Sequence, residues 1–381
     1  MGALERLTQL GGQFSSGSNK EKLLQKNADD VVVTAALRTA FTKGGKGGFK
    51  DTQAADLVAG AFKALLERSK IDPALVEDIA VGTVLAPGGG ATEMRAAALV
   101  AGFPETTAVR TLNRQCSSGL QACVDVINQI KTGMIEIGIG AGVESMSTQY
   151  GPGAVSEFSE QLENTPQAAN CKVPMGVLSE DMARDLGIAR TKQDAFAASS
   201  YAKAAKAQAE GLFDQEIAPL TVKWEDPKTG ETKEITVAKD DGVRAGVTAE
   251  SLGKIKPAFA KDGSIHAGNA SQVSDGAAAG PAKAIPKANA LAGIATEDVD
   301  IYEINEAFAS QCLWSAEQLG IPFEKVNPKG GAIAFGHPLG CTGARQVSTL
   351  LYELKRTGKK IGNTSMCIGT GMGMSAVWVA E

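Results

Sequence analysis

From Asp30 onward the chain alternates between two hydrophobic rhythms. Val31 to Ala36, Asp78 to Leu85, Thr106 to Leu112 and Ile135 to Val143 are short apolar or β-branched runs that read as strands. Between them, Leu57, Val58, Ala61 and Leu65 recur at helical spacing. So do the residues of Ala91 to Ala101, and then Leu120, Cys123, Val124, Ile127 and Ile130. Gly44 to Gly48 and Pro87-Gly88-Gly89-Gly90 punctuate the series, and Asp72-Pro73 opens a helical turn. Strand and helix in alternation predict an α/β layered domain with helices on both faces of the sheet.

The rhythm breaks between about 150 and 260. Tyr150 to Lys172 reads as loop, Ser179 as the cap of a helix ending near Gly187, and Thr191-Lys192-Gln193-Asp194 as the start of a long Ala-rich helix that stops at Gly211. Thr221 to Trp224 and Lys233 to Val237 flank Asp226-Pro227-Lys228-Thr229-Gly230, a hairpin signal. This block reads as an insertion lying over the sheet, where binding loops tend to sit.

After Gly293 the first rhythm returns as an internal repeat. Glu297-Asp298-Val299-Asp300-Ile301-Tyr302-Glu303 parallels Val76-Glu77-Asp78-Ile79-Ala80-Val81. A helix from Ala307, the segment Val326 to Phe335 and a helix from Cys341 follow, and two strands, Ile361 to Cys367 and Met374 to Ala380, close the chain. The organisation is therefore a flexible N-terminal segment (1–29), a first half (30–149), an inserted loop domain (150–265), a return to the first half (266–280) and a second half (281–381).

Composition narrows the function classes. With 381 residues, 43% hydrophobic and 21% charged, the chain is an ordinary globular protein long enough for two or three lobes. A net charge of −5 with dispersed Lys and Arg gives no footprint for nucleic acid or an anionic membrane, and no apolar run is long enough to span a bilayer. Six cysteines without a CxxC pair fit a reducing compartment and free thiols, and two histidines make a His-rich metal site improbable.

The candidate chemistry sits in loops at strand ends. Cys116, in Asn113-Arg114-Gln115-Cys116-Ser117-Ser118-Gly119, stands at a strand-to-helix turn, where the N-terminal end of a helix favours a thiolate and small neighbours leave room for substrate. A buried cysteine acting as a small hydrophobe is the competing reading. His337, in Gly336-His337-Pro338-Leu339-Gly340, is the candidate base for that thiol, or a turn histidine bonded to backbone. Cys367 precedes glycines whose N–H groups can face an oxyanion, or is a buried strand-end cysteine. Asn305-Glu306 is a site element or a plain helix cap. His266 reads as part of an ordinary turn.

Five blocks, taken in order, carry a resemblance. The Cys116 segment, Ala267-Gly268-Asn269-Ala270-Ser271, Asn305-Glu306-Ala307-Phe308, Gly330 to Pro338 and Cys367-Ile368-Gly369-Thr370-Gly371 resemble the signature blocks of the thiolases from about Asp30 to the C-terminus. Gly340 to Gln346 and Val143-Glu144-Ser145-Met146-Ser147 are most similar to the peroxisomal 3-ketoacyl-CoA branch. The resemblance implies two similar βαβαβαββ halves in an αβαβα arrangement with an inserted loop domain. It implies a homodimer, coenzyme A and 3-ketoacyl-CoA as substrates, and neither cofactor nor metal. Arg6-Leu7 through Gln13-Phe14, otherwise a disordered tail, is similar to the family's N-terminal targeting signal; this implies an import receptor and the peroxisomal matrix, with the cytosol as the alternative if the signal is not functional.

By the same resemblance, Cys116 is the nucleophile, His337 its base and Cys367 the second acid/base thiol. His337 with a water on Asn305 forms one oxyanion site, and the N–H groups of Cys116 and Gly369 form the other. Ser271 and Ala267 contact the pantetheine arm, and Met175 lines the pocket. One departure is visible: Ser274 to Ala279 runs directly into Gly280-Pro281, so about 30 residues, roughly one βαβ unit, are absent from the start of the second half. Three readings stay open: a working 3-ketoacyl-CoA thiolase of fatty-acid β-oxidation, a shortened and catalytically weak form acting as a dimer partner, and an acetoacetyl-CoA-forming or other condensing enzyme on the same fold. The Cys367 block argues against the last.

Overall fold

The computed structural model describes residues 19–151, 157–279 and 285–381. The N-terminal segment similar to a targeting signal lies outside them. Strands β1 (Leu37–Thr39), β2 (Thr42–Lys43), β3 (Asp78–Gly82), β4 (Ala108–Leu112), β5 (Gly138–Ser145), β6 (Ile217–Ala218), β7 (Leu220–Glu225), β8 (Thr232–Val237) and β9 (Ser274–Ala279) belong to the first three quarters of the chain, and β10 (Ile301–Ile304), β11 (Ile361–Cys367) and β12 (Gly373–Val379) to the last. The main helices are α1 (Ala54–Ser69), α2 (Ala91–Ala101), α3 (Ser118–Lys131), α4 (Met175–Asp185), α5 (Arg190–Ala209), α6 (Ile285–Leu291), α7 (Ala309–Gln318), α8 (Ala332–Phe335) and α9 (Thr342–Thr357).

The first sheet runs β4-β3-β5-β9-β1-β6, with β2 beside β9. Strand β3 is parallel to both neighbours, whereas β9 is antiparallel to β5 on one side and to β1 on the other. Every residue of β3 is buried, as a strand covered on both faces must be. Its side chains alternate: Ile79 and Val81 join the core under α1 and α2, while Ala80 meets Ala122 and Val126 of α3. The second sheet, β10-β11-β12, shows the same division. Tyr302 and Ile304 of β10 pack outward with Cys312 and Ala316 of α7, and Ile301 packs inward on Leu350 and Leu354 of α9. Helices α3 and α9 thus lie between the sheets, and the order of layers is αβαβα. The internal repeat is visible in the entry to each sheet, since 3-10 turns at Pro73–Leu75 and Thr296–Asp298 lead into β3 and β10.

Three expectations need correction. Val31 to Ala36 is not a strand: pairing begins only at Leu37, opposite Ala279, where β9 ends, so the preceding residues have no described ladder to join on that side. Ser179 is not a cap but lies inside α4, which begins at Met175 after Pro174. Tyr150 to Lys172 is not all loop, since Glu160–Glu163 and Pro166–Ala169 are short helices. The inserted block does more than cover the sheet, because its β6 pairs with β1 as an edge strand and its β7 and β8 form the expected hairpin. The second sheet has three strands among the described residues.

Candidate active site

Four loops converge at the ends of strands. Cys116 follows β4 and precedes α3, Asn305 follows β10, Cys367 ends β11, and His337 lies between α8 and α9. Their approach depends on main chain meeting main chain. A Cβ on Gly82 would stand 2.2 Å from Gly119 N, one on Gly119 2.5 Å from Gly340 O, and one on Gly142 2.3 Å from the same oxygen. Only residues without a side chain bring β3, β5, the start of α3 and the His337 loop this close.

A buried carboxylate holds the same contact from the side. Glu144, at the end of β5, accepts hydrogen bonds from Gly340 N at 2.9 Å, Val84 N and Leu85 N at 3.0 Å, and Thr83 Oγ1 at 3.1 Å. Burial pushes its pKa up, and these four donors oppose that shift. It ties the His337 loop to the end of β3.

The imidazole of His337 is 4% exposed. Its Nδ1 lies 2.6 Å from Thr342 Oγ1, and that hydroxyl is 2.9 Å from Pro338 O. Because the carbonyl can only accept, the hydroxyl proton goes to Pro338 and the oxygen accepts from Nδ1–H. This leaves a lone pair on Nε2, toward which Asn305 Nδ2 donates at 3.3 Å. Burial, and then the nearby Arg345 guanidinium, push the His337 pKa down to about 3, so the ring is a neutral base at physiological pH. The loop is fixed further by His337 N, which donates to Gln272 O at 3.1 Å and lies 3.2 Å from Ser274 Oγ.

Both site cysteines are half-buried and free. Gln115, just before Cys116, takes a left-handed conformation (φ 50°) that sets the sulfur at the turn before α3. The expectation that the helix start makes Cys116 a thiolate does not hold. Burial raises its pKa, and the neighbouring Cys367 and Glu144 raise it again against the help of its own N–H. Removing that proton needs a base. Burial likewise pushes Cys367 up to about 11, opposed by the N–H groups of Cys367 and Gly369.

Asn305 is no helix cap, since α7 begins at Ala309 and Asn305 N donates to Ser365 O at 2.8 Å. Met175 Sδ stands 3.6 Å from where a Cβ on Gly369 would lie, which puts the first turn of α4 over the Cys367 loop. Ser271, half-buried, donates its N–H to Ala307 O at 2.9 Å beside the Asn305 segment, and exposed Ala267 stands at the outer end of that same stretch. His266 is not in a plain turn. It is fully buried, with Nε2 2.7 Å from Asp194 Oδ1 and Nδ1 accepting from Gly268 N, and so anchors the loop that carries Ala267 and Ser271. Sequence reasoning missed Thr342 and the anchoring role of Glu144; the former's signal is its place five residues after His337 at the first turn of a helix. Among the described residues there is no metal-ligating cluster and no helix long and apolar enough to cross a membrane.

Comparison with known proteins shows the family. The thiolase N-terminal domain model matches residues 31–280 and the thiolase C-terminal domain model residues 262–380. The chain is 53% identical to the peroxisomal 3-ketoacyl-CoA thiolase of Yarrowia lipolytica, over 99% of this chain and all of the relative. It is 50% identical to peroxisomal 3-ketoacyl-CoA thiolase B of Rattus norvegicus, over 93% of this chain and 92% of the relative. The crystal structure of the dimeric peroxisomal thiolase of Saccharomyces cerevisiae superposes with a TM-score of 0.87 at 44% identity, covering 95% of this chain and all of that one. The Yarrowia alignment is 415 positions long against a chain of 381, so at least 34 positions (415 less 381) have no counterpart here. By domain models, by overall identity and by a fold shared with a solved thiolase, the chain belongs to the thiolase family.

Proposed function

We propose that the chain is an acetyl-CoA C-acyltransferase that cleaves 3-ketoacyl-CoA with coenzyme A, in fatty-acid β-oxidation in the peroxisome, as a homodimer. The observations that support this reading are a neutral His337 whose Nε2 faces Asn305 Nδ2, and a Cys116 that burial and its neighbour Cys367 keep protonated.

His337 Nε2 takes the Cys116 proton and the sulfur attacks the 3-keto carbon. The oxyanion is met by His337 with a water on Asn305. The C2–C3 bond then breaks, its electron pair leaves as the acetyl-CoA carbanion, and Cys367 Sγ–H protonates that carbon. Acyl-Cys116 remains as a thioester. Cys367, now a thiolate, takes the proton of incoming coenzyme A, whose sulfur attacks the thioester carbonyl; the oxyanion that forms is faced by the N–H groups of Cys116 and Gly369, and as it collapses Cys116 leaves as a thiolate and regains its proton from His337 Nε2. Ser271 and Ala267 contact the pantetheine arm and Met175 lines the acyl pocket. No metal or cofactor enters any step, and coenzyme A is a substrate.

Purified chain is assayed for coenzyme A-dependent loss of acetoacetyl-CoA and of a longer 3-ketoacyl-CoA, beside Cys116→Ala. Turnover that disappears in the variant is the expected result. A folded, soluble chain without turnover refutes the assignment and leaves the shortened dimer partner, a reading favoured by the three-stranded second sheet. A condensing enzyme would need a different group in place of the Cys367 thiol.

A further inference from the structure

Helix α9 starts beside His337 and packs on β10 and β11, the strands that lead to Asn305 and Cys367. Its first turn holds the imidazole, since Thr342 Oγ1 takes the Nδ1–H of His337. Four residues on, and so on the same face one turn later, stands Gln346, fully buried. Its Nε2 donates to Glu303 O at 2.8 Å and to Ser365 O at 3.0 Å. Both partners are carbonyls, which only accept, so the amide nitrogen is the atom that faces them.

Glu303 stands two residues before Asn305, and Ser365 two residues before Cys367. The parallel ladder of β10 and β11 ends at the pair Ile304–Ser365. Asn305 N adds one more bond to Ser365 O at 2.8 Å, and beyond it no backbone bond joins the two segments among the described residues. Strand ends are where a ladder opens most easily. On one side the end of β10 is held by Asn327, whose Oδ1 accepts from Ile304 N and whose Nδ2 donates to Ile304 O, both at 2.8 Å. On the β11 side the matching clamp is Gln346. Its neighbour Arg345 contacts the Glu303 carboxylate at 2.7 Å rather than the main chain.

We propose that Gln346 is a positioning residue for the cleavage reaction: by tying Glu303 O to Ser365 O it sets the separation of Asn305 and Cys367, and through the helix it shares with Thr342 it registers both to His337. This role rests on the function proposed above. There Asn305 serves the oxygen of the 3-keto group and Cys367 the adjacent carbon, so the two must keep a fixed spacing on one substrate. An apolar side chain of the same length would fill the space as well, but only the amide can hold both carbonyls at once.

Gln346→Met keeps the length of the side chain and removes both donors. In the full chain, kcat for coenzyme A-dependent cleavage of acetoacetyl-CoA should fall by about 10- to 100-fold with KM little changed, the pattern of lost positioning rather than lost binding. Alkylation of Cys116 by iodoacetamide should keep the parent rate, because His337 keeps its bond to Thr342, whereas Thr342→Val should slow it. Amide exchange should quicken only in peptides spanning Asn305 and Cys367. Gln346→Asn, whose amide falls one methylene short, should behave alike, and it decides the matter if the Met variant does not fold. A folded variant with the parent kcat would overturn the proposal. So would faster exchange across the whole second sheet, or Cys116 alkylation slowed in step with kcat, since either marks a general structural role. A parent chain without turnover would refute the function proposed above, and the exchange pattern alone would then decide whether Gln346 sets these two strand ends.

Discussion

Thr342→Val isolates one proton. The substitution keeps the shape of the side chain and removes the only acceptor described for His337 Nδ1–H. In the parent chain the 2.6 Å contact to Oγ1, whose own proton goes to Pro338 O, fixes the ring as the Nδ1–H tautomer with Nε2 free to accept. Without it a buried N–H has no partner, a cost of about 1–3 kcal/mol. The ring then favours the tautomer with its proton on Nε2, where it cannot accept one from Cys116. At ~1.4 kcal/mol per decade, the chemical step should slow by about 5- to 150-fold. The assay is coenzyme A-dependent cleavage of acetoacetyl-CoA, with kcat and KM determined separately. Only kcat should fall, and Thr342→Ser, which keeps the acceptor, should recover most of it. A folded Thr342→Val chain with the parent kcat, or a Ser variant as slow as Val, would refute the tautomer argument.

Two further substitutions test the scaffold. Glu216 is buried and accepts from Arg38 Nε at 2.7 Å, Lys329 Nζ at 2.8 Å and Thr349 Oγ1 at 2.9 Å, so Glu216→Gln should cost about 3–5 kcal/mol in urea unfolding at neutral pH by leaving Lys329 short of its counter-charge. Burial opposes ionisation of Glu216, but Lys329 and Arg38 outweigh it and bring the pKa to about 2. A folded-state pKa below the unfolded one means stability that is full above about pH 4.3 and is lost as pH falls toward 2; the gap between parent and variant should therefore narrow over that range, and a constant gap would contradict the assignment. Gly340→Ala would place a Cβ 2.6 Å from Thr83 Cα and 2.8 Å from Val143 O, so a loss of about 1–3 kcal/mol in thermal unfolding is expected, together with lower kcat. Unchanged stability would show that this contact can give way.

What the sequence disclosed, and what it hid, follows from how local each signal is. Ala91–Ala101 is a helix with its bounds as read, and the Asp226 to Gly230 turn joins two strands, because spacing and turn chemistry act over a few residues. Val31 to Ala36 has the composition of a buried strand but is unpaired along β9, since pairing depends on a neighbour some 240 residues away in the chain (Ala279 less Leu37 is 242). The ionisation of Cys116 misled for a similar reason. A helix start is local and favours the thiolate, whereas burial and the Cys367 and Glu144 neighbours come from the tertiary fold and win. Cys116, His337 and Cys367 stand out as candidates because each lies in a contiguous, glycine-containing motif, and Asn305 because it follows a strand. Glu144 acts through hydrogen bonds across loops, and nothing in its immediate neighbours marks that role, whereas Thr342 is marked only by its place five residues after His337 at the start of a helix.

The contact among Gly82, Gly119, Gly142 and Gly340 has a consequence for how damage spreads. Two moving parts, the turn bearing the sulfur and the turn bearing the imidazole, share one bearing surface made of main chain. Side chains elsewhere absorb an added methyl by changing rotamer, but here there is no rotamer to change. An error of a few tenths of an ångström at any of these positions is passed to both reacting groups together. Under the proposed mechanism, lesions at this surface should therefore look like simultaneous loss of nucleophile and base, and a second-site change that repairs one should repair the other.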